Sequence, residues 1–267
     1  MVTIIQSGKH GLGKSNCIKE YMVVPGIGMT IDKAIQHIQH INSYVAKSFV
    51  SKMGVSAKFV NESGTLCPTL DTPTQALDLL QEAINAQGLT IGEDMYLAVN
   101  AAAHEFFDFE KGKYEIVAGQ LKTNDDMVEF WADMIAKYPS IVAVIDPLRG
   151  QDSEAWMKLC ERVSEVTYIV GDHFYVRPGL LNQTEIPSPV RTSGIVMYLE
   201  KITSVSDIYT CANKLRDLSN EIILSTTQGD TTDTFIVDFA VGLNARFLKL
   251  GGPSRGERSC KLNRLLQ

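Results

Sequence analysis

The chain has 267 residues, 45% hydrophobic and 21% charged, with a formal net charge of -6. That length and apolar content bury a large core without disulfides or a structural metal, and the acidic balance excludes a general nucleic-acid binder, which needs a basic surface. No apolar run approaches the ~20 residues of a membrane helix, and the start MVTIIQSGKH lacks the basic and long apolar regions of a secretory leader. The five cysteines (17, 67, 160, 211 and 260) are scattered, with no C-x-x-C pair, so they predict reduced thiols in the cytoplasm.

Taken in order, short apolar strands alternate with amphipathic helices. Strands are predicted at 3–5 and 21–24. Residues 30–49 put Ile31, Ala34, Ile35, Ile38, Ile41, Tyr44 and Val45 on one helical face. A second helix starts with Thr72 as N-cap and Pro73 in the first turn, and ends at Gly88. A strand at 95–99 precedes a helix over 125–138 that stops at Pro139. Strand 141–145 leads to helix 153–163, then come strands 168–170 and 195–199 and helix 206–218. Strand 222–224, helix 233–243, strand 247–250 and helix 255–266 complete the chain.

Several strands are apolar on both faces, and each later one is followed by a helix, which implies a parallel sheet covered on both sides. Eight strands in this length favour a closed (β/α)8 barrel over an open doubly wound sheet, the alternative. Barrel chemistry sits where strands end, which selects Asn100, Asp146, Asp172, Thr226, Thr227 and Lys249.

Residues 8–15, G-K-H-G-L-G-K-S, match the phosphate-binding loop G-x-x-x-x-G-K-[ST], and Asp146 could pass for the magnesium-holding strand-end acid of a nucleotide hydrolase. Such a loop must open a helix. Here Y-M-V-V and Pro25 follow within a few residues, which favours a Gly-rich connection between two strands.

The C-terminal stretch S-T-T-Q-G-D-T-T-D-T-F-I-V-D-F-A-V-G-L, followed by F-L-K-L-G-G-P-S-R-G-E-R-S-C-K-L-N-R-L-L, resembles the corresponding segments of enolases. The blocks S-G-K-H, K-E-Y-M-V-V-P, A-L-D-L-L-Q-E-A-I, H-E-F-F-D-F-E-K-G-K-Y, K-Y-P-S-I-V-A-V-I-D-P-L, S-E-A-W and I-V-G-D-H have enolase counterparts in the same order. The resemblance implies an enolase-type barrel over residues 1–267 as a single domain, without the N-terminal α+β domain of enolases. It further implies conversion of 2-phosphoglycerate to phosphoenolpyruvate: a lysine removes the proton next to the carboxylate, two Mg²⁺ ions stabilise the enolate, and a glutamate helps hydroxide leave.

Carried over residue by residue, that machinery is mostly altered. The base lysine falls on Tyr198, the three metal carboxylates on Asn100, Ile145 and Asp172, and the glutamate on Ser63, one residue after Glu62. Thr226, Thr227 and Gln228 replace the substrate-binding H-R-S triplet. The resemblance leaves Lys249 and Glu62 as catalytic candidates, His10 and Glu20 as substrate contacts and Asp172 as a Mg²⁺ ligand, with Asp146 expected on the opposite side of its strand. His37, His40 and His104 receive no ligand role.

These replacements predict an enolase-like protein impaired in catalysis that acts as a structural or interaction subunit. Its resemblance to the sperm and flagellar enolase-like branch implies a cytoplasmic setting on the cytoskeleton of a motile cilium or sperm flagellum. The partners implied are a second copy, an N-terminal domain or axonemal proteins; no nucleic acid or membrane is implied. The alternative is an active Mg²⁺-dependent enolase of glycolysis, with Glu62 and Lys201 in shifted roles.

Overall fold

The computed structural model describes residues 1–9, 11, 13–173, 192–202 and 204–267. All eight predicted strands lie in one sheet: β1 (Val2–Gln6), β2 (Glu20–Pro25), β3 (Met95–Asn100), β7 (Ile141–Ile145), β8 (Tyr168–Gly171), β9 (Gly194–Tyr198), β10 (Glu221–Ser225) and β11 (Phe247–Lys249), neighbours in that order. Hydrogen bonds from Met1 N to Leu248 O and from Thr3 N to Gly251 O, both 2.8 Å, join β11 to β1 and close the ring. Among the described residues seven α-helices accompany the sheet: α1 (Ile31–Met53), α2 (Thr74–Asn85), α3 (Asn124–Lys137), α4 (Ser153–Val163), α5 (Val205–Asp217), α6 (Phe235–Gly242) and α7 (Gly256–Arg264).

The sheet is not wholly parallel, contrary to the sequence expectation. β2 runs antiparallel to both β1 and β3. A parallel neighbour needs a crossover that carries the chain back along the sheet. The described residues between β1 and β2 form no helix, and between β2 and β3 the packed pair α1 and α2 returns the chain to the end it left. A second sheet, β4 (Phe107–Asp108), β5 (Lys113–Val117) and β6 (Gln120–Lys122), fills the stretch before α3. The start of α2 also differs: Thr74 is its first residue, and the Gln75 side-chain oxygen accepts from the amides of Asp71 and Thr72.

Strand alternation divides the core. Outward residues such as Tyr21, Val23, Leu97, Val99 and Ile141 meet the helices, and Ile195, Met197 and Leu224 form a second outer cluster with α5 and α6. Inward residues Met22, Val24, Ala98, Ala143, Ile145, Val170, Val196 and Ile223 pack the barrel axis with apolar side chains. Extending the same period by one step positions the site. Glu20 follows Met22 and Val24, Asn100 follows Ala98, Tyr198 follows Val196, and Lys249 follows Phe247. The ladder aligns them in two arcs, Glu20 beside Asn100 beside Ile145, and Tyr198 beside Ser225 beside Lys249.

The Gly-rich stretch does not form a phosphate-binding loop. Ser15 is buried with its amide on Leu70 O, Lys14 is exposed, and residues 16–19 are non-helical before β2 begins. Gly13 is required there by space, since a Cβ would lie 1.9 Å from Leu70 O.

Candidate functional site

A cleft of about 300 Å³ opens at the mouth of the barrel. All six strand-end residues selected from the sequence line it: Asn100, Asp146, Asp172, Thr226, Thr227 and Lys249.

Its floor on the β11–β3 side is a buried ionic network. The Lys249 ammonium lies 2.8 Å from Glu20 Oε2 and donates to Oε1 at 3.0 Å. Asn100 Nδ2 donates to Glu20 Oε2 at 2.7 Å, while Asn100 Oδ1 accepts from the Ala102 amide. Burial alone would raise the Glu20 pKa, but the Lys249 charge and the hydrogen bonds from Lys249 and Asn100 outweigh it and hold the carboxyl below its ordinary value. Lys249 and Glu20, two of the sequence candidates, are therefore each other's partners.

The opposite side is built differently. Tyr198 donates its hydroxyl to Asp172 Oδ2 at 2.6 Å. Lys201, one turn further on, lies 4.2 Å from the centre of the Tyr198 ring and 3.6 Å from Asp172 Oδ1. Burial, then the Asp172 charge, raise the Tyr198 pKa far above that of a free phenol. A phenol so placed is a hydrogen-bond donor and not a base.

Asp146 faces the cleft, correcting the expectation that it turns away. Alternation ends with β7 at Ile145, and Asp146 adopts a left-handed conformation with φ of 45°. Its two carboxylate oxygens accept the amides of Asp172 and His173 at 2.8 and 2.7 Å. Glu62 is exposed and absent from the cleft lining, where Ser63 stands instead. The cause is the Asn61 side chain, whose Oδ1 accepts from the amides of Ser63 and Thr65 and folds a turn that aims Ser63 inward. His10 lies outside the described residues.

Three groups of lining residues were not selected from the sequence. His104 and His173 stack at the rim with ring centres 3.9 Å apart. Burial, then the neighbouring His173, lower the His104 pKa. Lys19 pairs with Glu105. Arg258, 1% exposed, reaches under the loop after β10, donating to Thr226 Oγ1 at 2.6 Å and to the carbonyls of Thr227 and Gln228 at 2.7 and 2.9 Å. The D-H step in I-V-G-D-H was a visible signal for His173. Arg258 sits in the first turn of α7, and its only sequence signal is its place in the enolase-like block R-G-E-R-S-C-K.

The residues present do not fit Mg²⁺, a hard cation that takes several oxygen ligands. Ile145 packs in the apolar barrel axis, the Asn100 amide is engaged at both ends, and Asp172 is held by Tyr198 and Lys201. Among the described residues, no group of three or more His, Cys, Asp or Glu side chains could hold a metal ion. Nor is any described helix long and apolar enough to cross a membrane.

The family model described as "Enolase, C-terminal TIM barrel domain" matches residues 1–267. Proteins named Enolase 4 from Xenopus laevis and Homo sapiens are 36% and 34% identical to the chain over 270 and 285 residues. Those matches cover 100% of the chain and 47% and 45% of the relatives. An Enolase 4 from Danio rerio is 32% identical over 274 residues, 100% of the chain and 45% of its own length. The chain spans about half the length of the curated relatives it matches.

Proposed function

The chain belongs to the enolase family, and on that premise we propose that its barrel does not turn over 2-phosphoglycerate but serves as a structural or interaction subunit. One observation carries the proposal. The position that the resemblance gives to the base lysine is Tyr198, a protonated phenol committed to Asp172. Abstracting a weakly acidic carbon-bound proton needs a base of matched pKa and positive charge at the developing oxyanion. A phenol that keeps its proton supplies the first poorly, and a cleft whose acids are already held by its own lysines and backbone amides gathers no metal for the second.

The retained pair Lys249–Glu20 favours the second reading, a working enolase. In that reading Lys249 stays charged and touches substrate, while Lys201 takes the base role. The exposed position of Glu62 leaves it without a group to help hydroxide leave.

The setting we propose is the cytoskeleton of a motile cilium or sperm flagellum, where divergent enolase-like proteins resembling this one are found. Partners there are axonemal proteins, a second copy, or a domain elsewhere in a longer polypeptide. The test of the catalytic claim is phosphoenolpyruvate formation from 2-phosphoglycerate with excess Mg²⁺, beside an authentic enolase. The expected result is no formation above an enzyme-free control. Turnover that Lys249→Met abolishes in a protein of native circular dichroism would reverse the proposal.

A further inference from the structure

The cleft lining already engages its own acids. Four acids, Glu20, Glu105, Asp146 and Asp172, face three lysines, Lys19, Lys201 and Lys249, while the Arg258 guanidinium is paired with Asp230 at 3.1 Å beneath the loop after β10. A divalent-cation site instead gathers more carboxylate charge than the protein neutralises, so that the ion completes the balance. Here each acid already has a protein counterpart. Lys249 and Asn100 hold Glu20, Lys19 holds Glu105, two backbone amides hold Asp146, and Tyr198 with Lys201 holds Asp172.

Lys201 differs from the other bases in its accommodation. Lys249 is buried against both Glu20 oxygens, and Arg258 is buried and fixed by several hydrogen bonds. Lys201 is exposed, with its ammonium over the Tyr198 ring and beside Asp172 Oδ1. The ring face attracts the cation, and the turn in which the Lys201 amide donates to Tyr198 O brings the side chain back over that ring. Tyr198 thus does two things at once: its hydroxyl takes one oxygen of Asp172 and its ring holds a cation over the other.

We infer that Lys201 is the resident counter-ion of Asp172, a positioning residue that makes this a metal-independent cleft by occupying, with a protein charge, the place a divalent cation would need. The inference rests on the proposed non-catalytic reading of the cleft. A bound divalent ion near Asp172 would sit within a few ångströms of the Lys201 ammonium, and repulsion between the two charges at that range far exceeds thermal energy even when partly screened. Ligands admitted to the cleft are accordingly those that need no bridging metal.

The test is titration of Mn²⁺ into the full chain, with the free ion read by electron paramagnetic resonance, a readout independent of turnover. The wild-type protein is expected to leave Mn²⁺ free. Lys201→Gln, whose neutral stem still covers the Tyr198 ring, is expected to bind it at least about tenfold more tightly. Lys201→Arg is expected to behave as wild type, and Asp172→Asn in the Lys201→Gln background to lose the gain. Saturable binding by the wild type that Asp172→Asn removes would overturn the inference. So would a Lys201→Gln protein, or Lys201→Ala should the former not fold, with native circular dichroism and no gain in affinity. Metal binding without turnover would sink this inference alone, whereas turnover would sink the reading beneath it.

Discussion

The two sides of the barrel mouth solve the same problem of buried charge in different ways. On the side formed by β11, β2 and β3, Lys249, Glu20 and Asn100 are 7%, 8% and 7% exposed and joined by direct hydrogen bonds. On the side formed by β7, β8 and β9, the strand-end positions hold an isoleucine, an aspartate and a tyrosine, and the balancing lysine reaches in from solvent. The first arrangement is costly to disturb, because losing one partner strands the other charge in the interior. The second can change a residue at a time, because water and Lys201 cover what is lost. Residues that persist at a mouth of this kind can thus do so for stability alone, and their persistence is weak testimony of catalysis.

The comparison can be broken most severely at the buried pair. Lys249→Met should destabilise the chain by about 3–5 kcal/mol in urea unfolding, and Glu20→Leu in the same background should recover most of that. Additive losses would mean that the pair is not a unit. On the other side, Ile145→Glu restores a carboxylate where the resemblance places a metal ligand. It should cost about 3 kcal/mol in the same assay, because the side chain enters the apolar barrel axis beside Ala143 and Val170. An unchanged midpoint with added Mg²⁺ would show instead that the axis there admits an ion.

Tyr198→Phe should cost less, about 1.5–2 kcal/mol, the value of one hydrogen bond to a charged group. A loss as large as that of Lys249→Met would erase the distinction between the sides. Acid titration sharpens it further. Glu20 is held below its ordinary value in the folded chain. Its contribution to stability is therefore complete above the unfolded value of about 4.3 and lost as pH falls through the lower folded value. Unfolding free energy should drop with acid below about pH 4, and the slope should be shallower in Glu20→Gln.

The smallest effect concerns the thiols. Burial pushes the Cys17 thiol up to about 12 and the Cys211 thiol to about 11. In the native protein both should react with a thiol reagent more slowly than half-buried Cys260. Equal rates would indicate that the outer layers open readily.

Most of the strands and helices were legible because both faces of the strands are apolar and the helices carry one apolar stripe. Strand direction was not. Hydrophobic pattern says that Glu20–Pro25 is buried, but only the absence of a helix among the described residues before it and the paired helices after it determine that it runs backwards. The small sheet before α3 escaped because its strands are two, five and three residues long and carry polar residues, exposed at Lys113 and Gln120. At the site, reading off the strand ends placed Asn100 and Lys249 at the mouth, and the enolase resemblance added Glu20 and Tyr198. Strand alternation failed for Asp146, whose direction is fixed by its own left-handed conformation, and the resemblance could not tell that an Asn61 turn aims Ser63 rather than Glu62 into the cleft. Arg258 and the two stacked histidines depend on contacts between distant segments, which no local pattern encodes.

Replacement of the base by Tyr198 is the central claim, and solvent exchange tests it more directly than net turnover, because it isolates proton removal from hydroxide departure. 2-Phosphoglycerate is incubated with the chain in deuterated buffer containing Mg²⁺, and the proton next to the carboxylate is followed by nuclear magnetic resonance. The account predicts that this proton is retained as in the enzyme-free control. Chain-dependent loss of the signal that disappears in Lys201→Gln would show that a base operates in the cleft and would contradict it.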